Sequence, residues 1–406
     1  MNAKTDDNFK GPLHGLRVIE LAHIMAGPVC GLMLADMGAD LIKVEKPTGD
    51  DTRRMIPPAI NGESAAYMMM NSNKRGIALN LKSTEGIEVL KRLLDTADVV
   101  IENYRKGTME KLGLGYETLK KRNPGLIYVA ISGFGQSGPY AERGGFDLIA
   151  QGMSGLMAIT GEGPGRTPVK VGAPVSDTTA GILGAMGVCA ALHHRAQTGE
   201  GQFIDTSLYE AAITHTYWQS AIAFATEASP GPMGSAHPLN APYQAFETKD
   251  GWITLGAANQ KNWERLVDLI DAQALRSDPR FLTNADRMAH RGELEEALNH
   301  IFRQKTSNAW LELLEKGGFP AGPVSSIKDM HKDPQTIARK MVVTTDHPLA
   351  GKTGAIGLPV KFPKTPGAVT RPAPLLGQHT REILAEYGYD SAEIERLIES
   401  DSAFVQ

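Results

Sequence analysis

Within the stretch GAPVSDTTAGILGAMG, residues 172–187, Asp177 is the one carboxylate, and three glycines follow it at intervals of three: Gly181, Gly184 and Gly187. An aspartate opening a helix is ordinarily a cap that takes up unpaired backbone N–H groups. The glycines call for a further explanation, because each costs about 0.8–1 kcal/mol against alanine inside a helix. Their presence implies close approach of another backbone or of a ligand. A carboxylate at the start of such a helix, just after a strand, is also suited to nucleophilic attack. With an ordinary pKa of ~3.9 it is ionised at neutral pH and needs no partner base. Cap and nucleophile both remain open on the pattern.

Other chemical motifs are weaker. GFGQSG (133–138) follows a strand and matches a dinucleotide fingerprint, but Pro139 and the residues after it do not open the helix that would hold a pyrophosphate. His193 and His194 are adjacent and late in an apolar helix, with no third ligand at useful spacing, so no metal is expected. Neither Ser137 nor Ser154 stands in a G-x-S-x-G turn, and no phosphate-binding G-x-x-x-x-G-K-[ST] is present.

The elements that would position these residues alternate in type. LRVIELAH (16–23), LIKVEK (41–46), GIALNL (76–81), DVVIENY (98–104) and LIYVAIS (126–132) read as strands. GPVCGLMLADMGAD (27–40) reads as a helix begun by Pro28 and ended by Gly38, and STEGIEVLKRLLDTA (83–97) as one capped by Ser83. The alternation predicts βαβ units and a mostly parallel sheet, with ligands at the carboxyl ends of its strands. A segment rich in Gly, Pro, Ser and Ala at 225–244 then breaks the pattern.

The expected class is therefore α/β: a Rossmann-like large domain with a smaller inserted α+β domain. Residues 1–224 and a returning segment 331–406 would form the large domain, and 225–330 the small one. The 406 residues, 42% hydrophobic and 22% charged with a net charge of −4, give no reason to expect a nucleic-acid or membrane partner. No run reaches the ~18 apolar residues of a membrane span, and the polar start MNAKTDDNFKGPLHG has no signal-peptide core, so a cytoplasmic location is expected. Both cysteines, Cys30 and Cys189, lie in apolar helical patterns and are expected to be buried thiols.

Five stretches resemble the family III CoA-transferases of CaiB/BaiF type: 16–53, NSNKRGIALNLKSTEG, 97–140, TGEGQFIDTSLYEAA and RPAPLLGQHTREIL. The family includes formyl-CoA:oxalate and carnitine CoA-transferases, with α-methylacyl-CoA racemase as a relative. The resemblance spans nearly the whole chain and implies an intertwined homodimer and an enzyme with no tightly bound cofactor, coenzyme A thioester being its substrate. It makes Asp177 the nucleophile. It assigns CoA binding to Met25, Ala26, Lys46, Leu79, Asn80, Lys82, Asn103, Tyr104, Arg105 and Lys111, with Arg75 nearby. His23, Gly133, Phe134, Phe146, Asp147, Gly231, Gly234 and His237 would line the site, and the turn from Gly231 to Gly234 is either a loop that closes over it or a linker between domains.

Two departures from family members narrow the reaction. Met25 stands where the oxalate enzyme has a glutamine, and methionine cannot donate that hydrogen bond. Phe146 stands where the racemases have the histidine that exchanges a proton, and phenylalanine cannot be a base. Arg53, Arg54 and His237 are candidates to attract an acceptor carboxylate. The resemblance is nearest to members that use succinyl-CoA and a dicarboxylic acid such as glutarate.

Overall fold

The computed structural model describes residues 11–405, so most of the polar amino-terminal stretch lies outside the described residues. Six strands form a parallel sheet: β1 (Arg17–Glu20), β2 (Asp40–Glu45), β3 (Lys74–Leu79), β4 (Val99–Glu102), β5 (Ile127–Ser132) and β6 (Phe203–Ser207). A short strand near the end of the chain, β7 (Ala403–Phe404), runs antiparallel along β3. The order across the sheet is β7-β3-β2-β1-β4-β5-β6. The first strand is central and the chain winds outward from it both ways, which is the dinucleotide-fold order with its switch point between β1 and β4.

The strands read as apolar runs because helices cover both faces of the sheet. On one face Ile19, Ile42, Ile77 and Val100 pack with Val89, Leu90 and Leu93 of α2 (Thr84–Leu94) and with Ile383, Leu384 and Ile394. On the other, Val18, Leu41, Val99 and Val129 pack with α1 (Ala26–Asp36) and with the long helix α4 (Val175–Thr198). Before α4 comes a short helix, α3 (Asp147–Met153). The Ser83 hydroxyl caps α2 by accepting from Gly86 N–H at 3.0 Å. After α1, Gly38 adopts φ +99°, which a residue with a Cβ tolerates poorly.

Packing of α1 against α4 explains two of the spaced glycines. A Cβ at Gly181 would stand 2.6 Å from the Ala26 carbonyl oxygen and 2.8 Å from Val29 Cβ. At Gly184 it would meet Cys30 Sγ at 3.1 Å. The 24-residue α4 is long and apolar enough by composition to cross a membrane, contrary to the expectation that no stretch would be. Its buried residues, Ala180, Gly181, Gly184, Val188 and Ala191 among them, face the α1 and sheet core. Cys30 is buried, but Cys189 sits on the exposed side of α4 and is not the buried thiol expected from its apolar neighbours.

The chain divides into two compact units, one of residues 11–154, 171–215 and 334–405, the other of 155–170 and 216–333. The second unit thus begins earlier than the break near 225 and takes in a separate piece before α4. Its core is aromatic, with Phe246, Trp263, Phe281, Phe302 and Trp310 against a three-stranded antiparallel sheet (Tyr243–Glu247, Trp252–Gly256, Ala321–Pro323).

Candidate active site

Asp177 lies in the first turn of α4, but it does not cap the helix. The N-cap position is Pro174, and the Ser176 N–H is taken by the Oδ1 of Asp147, at 2.9 Å, reaching across from α3. Among the described residues the half-buried Asp177 carboxylate has no hydrogen-bond or ion-pair partner. Burial, and then the charge of Asp147, push its pKa up to about 6 instead of leaving it at the ordinary value. The helix dipole favours an anion there, yet desolvation and like charge prevail.

Fully buried Gln151, one turn along α3 from Asp147, completes this corner. Its Nε2 donates to Asp147 Oδ2 at 2.7 Å, and its Oε1 accepts from Val171 N–H at 2.9 Å. Phe146, which begins α3, is largely exposed and brings no titratable group to the corner.

A cavity of about 100 Å³ opens at the carboxyl ends of β1 and β2, lined by Ala22, His23, Lys43, Lys46, Asp50 and Tyr104 among others. His23, Lys46 and Tyr104 were expected at the site from the sequence. Asn103 belongs with them, since it accepts from His23 N–H at 3.0 Å and donates to His23 carbonyl at 2.8 Å. Burial lowers the His23 pKa. Met25 is the N-cap residue of α1, and the carbonyl of Ala26 faces Gly181, one turn after Asp177 on α4. The start of α1 therefore joins the β1 end of the cavity to the Asp177 helix.

Lys82, Arg105 and Lys111 are exposed, and their side-chain cations have no partner among the described residues. Arg105 lies beside Gly144. Asn80 is half-buried, whereas Leu79 is buried in the core and has only its backbone to offer. Gly133 is in close contact with Gly145, where an added Cβ would stand 2.6 Å from the other glycine's Cα, and Phe134 packs against Tyr140 and Tyr209.

Arg75 does not belong to this group. It lies near the amino end of β3, away from the strand ends that face the cavity, and is paired with Asp40 at 2.8 Å, Glu386 at 2.7 Å and Glu382 at 3.0 Å. Arg53 is equally committed, with two bonds to Glu45 at 2.7 and 2.8 Å and further ones to Tyr67 and the Pro374 carbonyl. Arg54 and Lys46 share Asp51, at 2.5 and 2.7 Å. His237, Gly231 and Gly234 belong to the second unit, where His237 Nδ1 accepts from Leu239 N–H at 3.1 Å and Gly234 N–H donates to the Gly161 carbonyl at 2.8 Å.

Beneath the cavity runs a chain of buried charges that the motif reading passed over. Lys43 bridges Glu20 and Asp50, both at 3.0 Å, and Lys74 binds Glu20 at 2.8 Å. Burial opposes the Lys43 ammonium, but Glu20 and Asp50 outweigh it and raise its pKa. For Lys74 burial prevails and lowers it to about 8. Asp50 also accepts from the N–H groups of Ile24 at 3.3 Å and Thr52 at 2.9 Å, so the network holds the loops after β1 and β2. The signal was present as single charges, Glu20 and Lys43, in apolar strands buried on both faces. Among the described residues no group of three His, Cys, Asp or Glu could hold a metal ion.

Comparison with known proteins converges on one family. The model of CoA-transferase family III matches residues 13–380. Succinate–glutarate CoA-transferase of Agrobacterium fabrum is 41% identical, over 93% of this chain and 96% of the relative. Succinyl-CoA:mesaconate CoA-transferase of Haloarcula marismortui is 39% identical over 96% of this chain and its own whole length. The crystal structure of a CAIB/BAIF family protein from Brucella suis superposes with a TM-score of 0.84 at 40% identity, covering 93% of this chain and all of the other.

Proposed function

We propose that this chain, which belongs to CoA-transferase family III, moves coenzyme A from succinyl-CoA to a free dicarboxylic acid through covalent intermediates on Asp177. The observation that carries the assignment is the Asp177 carboxylate itself: partly buried, without a hydrogen-bond or ion-pair partner among the described residues, at the start of a helix whose capping bond is made by another residue. Relatives named for succinyl-CoA with glutarate or mesaconate support the donor and the acceptor class.

The anionic Asp177 attacks the donor thioester carbonyl, the C–S bond breaks, and a mixed anhydride and CoA thiolate form. The thiolate attacks the aspartyl carbonyl, expelling succinate and leaving an Asp177–CoA thioester. The acceptor carboxylate attacks that carbonyl and releases the thiolate. Attack of the thiolate on the acceptor carbonyl of the new anhydride restores the Asp177 carboxylate and yields acceptor-CoA. Both intermediates are hydrolysed by water, so the site must close. The turn from Gly231 to Gly234 is the proposed lid, with His237 beside it.

For CoA we assign the cations of Lys46, Lys82, Arg105 and Lys111 to the phosphates, and Met25, Ala26, Leu79, Asn80, Asn103 and Tyr104 to the remainder of the molecule. Arg75 is left out because three carboxylates already engage it. Racemisation is disfavoured because Phe146 cannot exchange a proton. An intertwined homodimer, a small domain inserted in the large one, and a cytoplasmic location complete the proposal.

The test is intact-protein mass spectrometry after mixing with succinyl-CoA, followed by peptide mapping. A CoA or succinyl adduct on the Asp177 peptide is expected. No adduct with succinyl-CoA or with a panel of other acyl-CoA donors overturns the assignment.

A further inference from the structure

We infer that Gln151 is a positioning residue for the nucleophile: its buried amide holds the segment that enters α4, and through it the direction of the Asp177 carboxylate. This rests on the reading of Asp177 as the nucleophile. Gln151 has no exposed surface, and its amide makes both kinds of bond at once. It donates to Asp147 Oδ2 at 2.7 Å, has the Ala173 carbonyl at 3.5 Å, and accepts from Val171 N–H at 2.9 Å. Asp147 turns its other oxygen to Ser176 N–H at 2.9 Å.

One amide and one carboxylate on α3 thus hold residues 171, 173 and 176, and the stretch up to Pro174 has no regular structure of its own. Because the Asp177 carboxylate makes no hydrogen bond among the described residues, its aim depends on where the first turn of α4 is anchored. The amide can donate to a carboxylate while its oxygen accepts from a backbone N–H; an ionised carboxylate can only accept, and an aliphatic side chain can do neither. Displacement of a reacting group by about 1 Å can cost ~100-fold in rate.

The experiment compares the wild type with Gln151→Met, which keeps the length and removes the bonds. The single-turnover rate of Asp177 modification at saturating succinyl-CoA is measured beside the CoA dissociation constant. The expected result is a 10- to 100-fold slower modification with CoA affinity unchanged within twofold. An equal loss of CoA affinity would mark a structural role and overturn the inference, as would a wild-type rate. In an Asp147→Asn background the same substitution should add a smaller loss than in the wild type, because Asp147 and Gln151 are bonded to each other and hold the same segment; independent, multiplying losses would also refute the inference. Should Gln151→Met fail to fold, Gln151→Asn withdraws the amide by one methylene and should slow modification without weakening CoA binding; a wild-type rate in it refutes the inference. A wild type that forms no Asp177 adduct defeats the nucleophile reading and this inference with it, whereas a normal adduct formed at equal rates in both proteins defeats the inference alone.

Discussion

Replacing the proposed nucleophile should make the protein more stable. Asp177→Asn removes a charge that burial and Asp147 hold at a pKa of about 6, above the ordinary 3.8. An acid whose pKa is raised on folding binds its proton more tightly in the folded state. Its penalty is absent below the unfolded pKa of ~4, grows between ~4 and ~6, and is complete above. Two units correspond to about 3 kcal/mol, and the solvent contact that Asp177 keeps reduces this to ~1–2 kcal/mol at pH 8. For a unit of this size the gain is ~2–4 °C in Tm. At pH 4.5 it should shrink to about a third. Thermal unfolding of both proteins at the two pH values measures the effect. A variant no more stable than the wild type at pH 8, or a difference independent of pH, would refute the account of Asp177 as a destabilised, unpaired carboxylate. The same pKa requires wild-type adduct formation to rise with pH and reach half its plateau near pH 6, since only the anion attacks.

Gly181→Ala should destabilise by ~1–3 kcal/mol despite the helix-propensity gain of ~1 kcal/mol, because the added methyl meets the Ala26 carbonyl and Val29; Gly187→Ala, which meets only the Ile204 side chain, at 3.0 Å from its Cγ2, and no backbone, should lose less, and denaturant unfolding separates the two. Arg75→Ala should lower stability and leave CoA affinity within twofold, whereas Arg105→Ala should weaken CoA binding several-fold without unfolding; calorimetric titration with CoA tests both. Glu20→Ala strands the ammonium of Lys74 beside that of Lys43 and should cost ~3–5 kcal/mol, read as a large fall in Tm.

Much of the large unit was legible in the chain. Apolar runs separated by amphipathic helices identify strands covered on both faces, and Ser83, Pro28 and Gly38 mark helix ends by local chemistry that does not depend on the rest of the fold. The sheet order was not legible in this way, nor was the helix end that Asp147 caps. Asp147 and Ser176 are 29 residues apart, and nothing local announces that the first caps the helix of the second. Arg75 shows the same limit. The resemblance puts Arg75 near the CoA-binding residues, but which end of a strand a side chain occupies, and whether Asp40, Glu382 and Glu386 reach it, depends on how distant segments assemble.

The α/β alternation and the close packing implied by Gly181 and Gly184 follow from the order of residues along the chain, and the family resemblance singles out Asp177 as the proposed nucleophile. Which charges are already engaged among the described residues follows from folding. It drew Arg53 and Arg75 into ion pairs, left Lys82, Arg105 and Lys111 without partners among the described residues, and put Asp147 against the first turn of α4. The physical reason is range: helix and strand preferences are set by neighbours along the chain, whereas the ionisation and aim of a carboxylate are set by burial and by partners that only folding brings within a few ångströms.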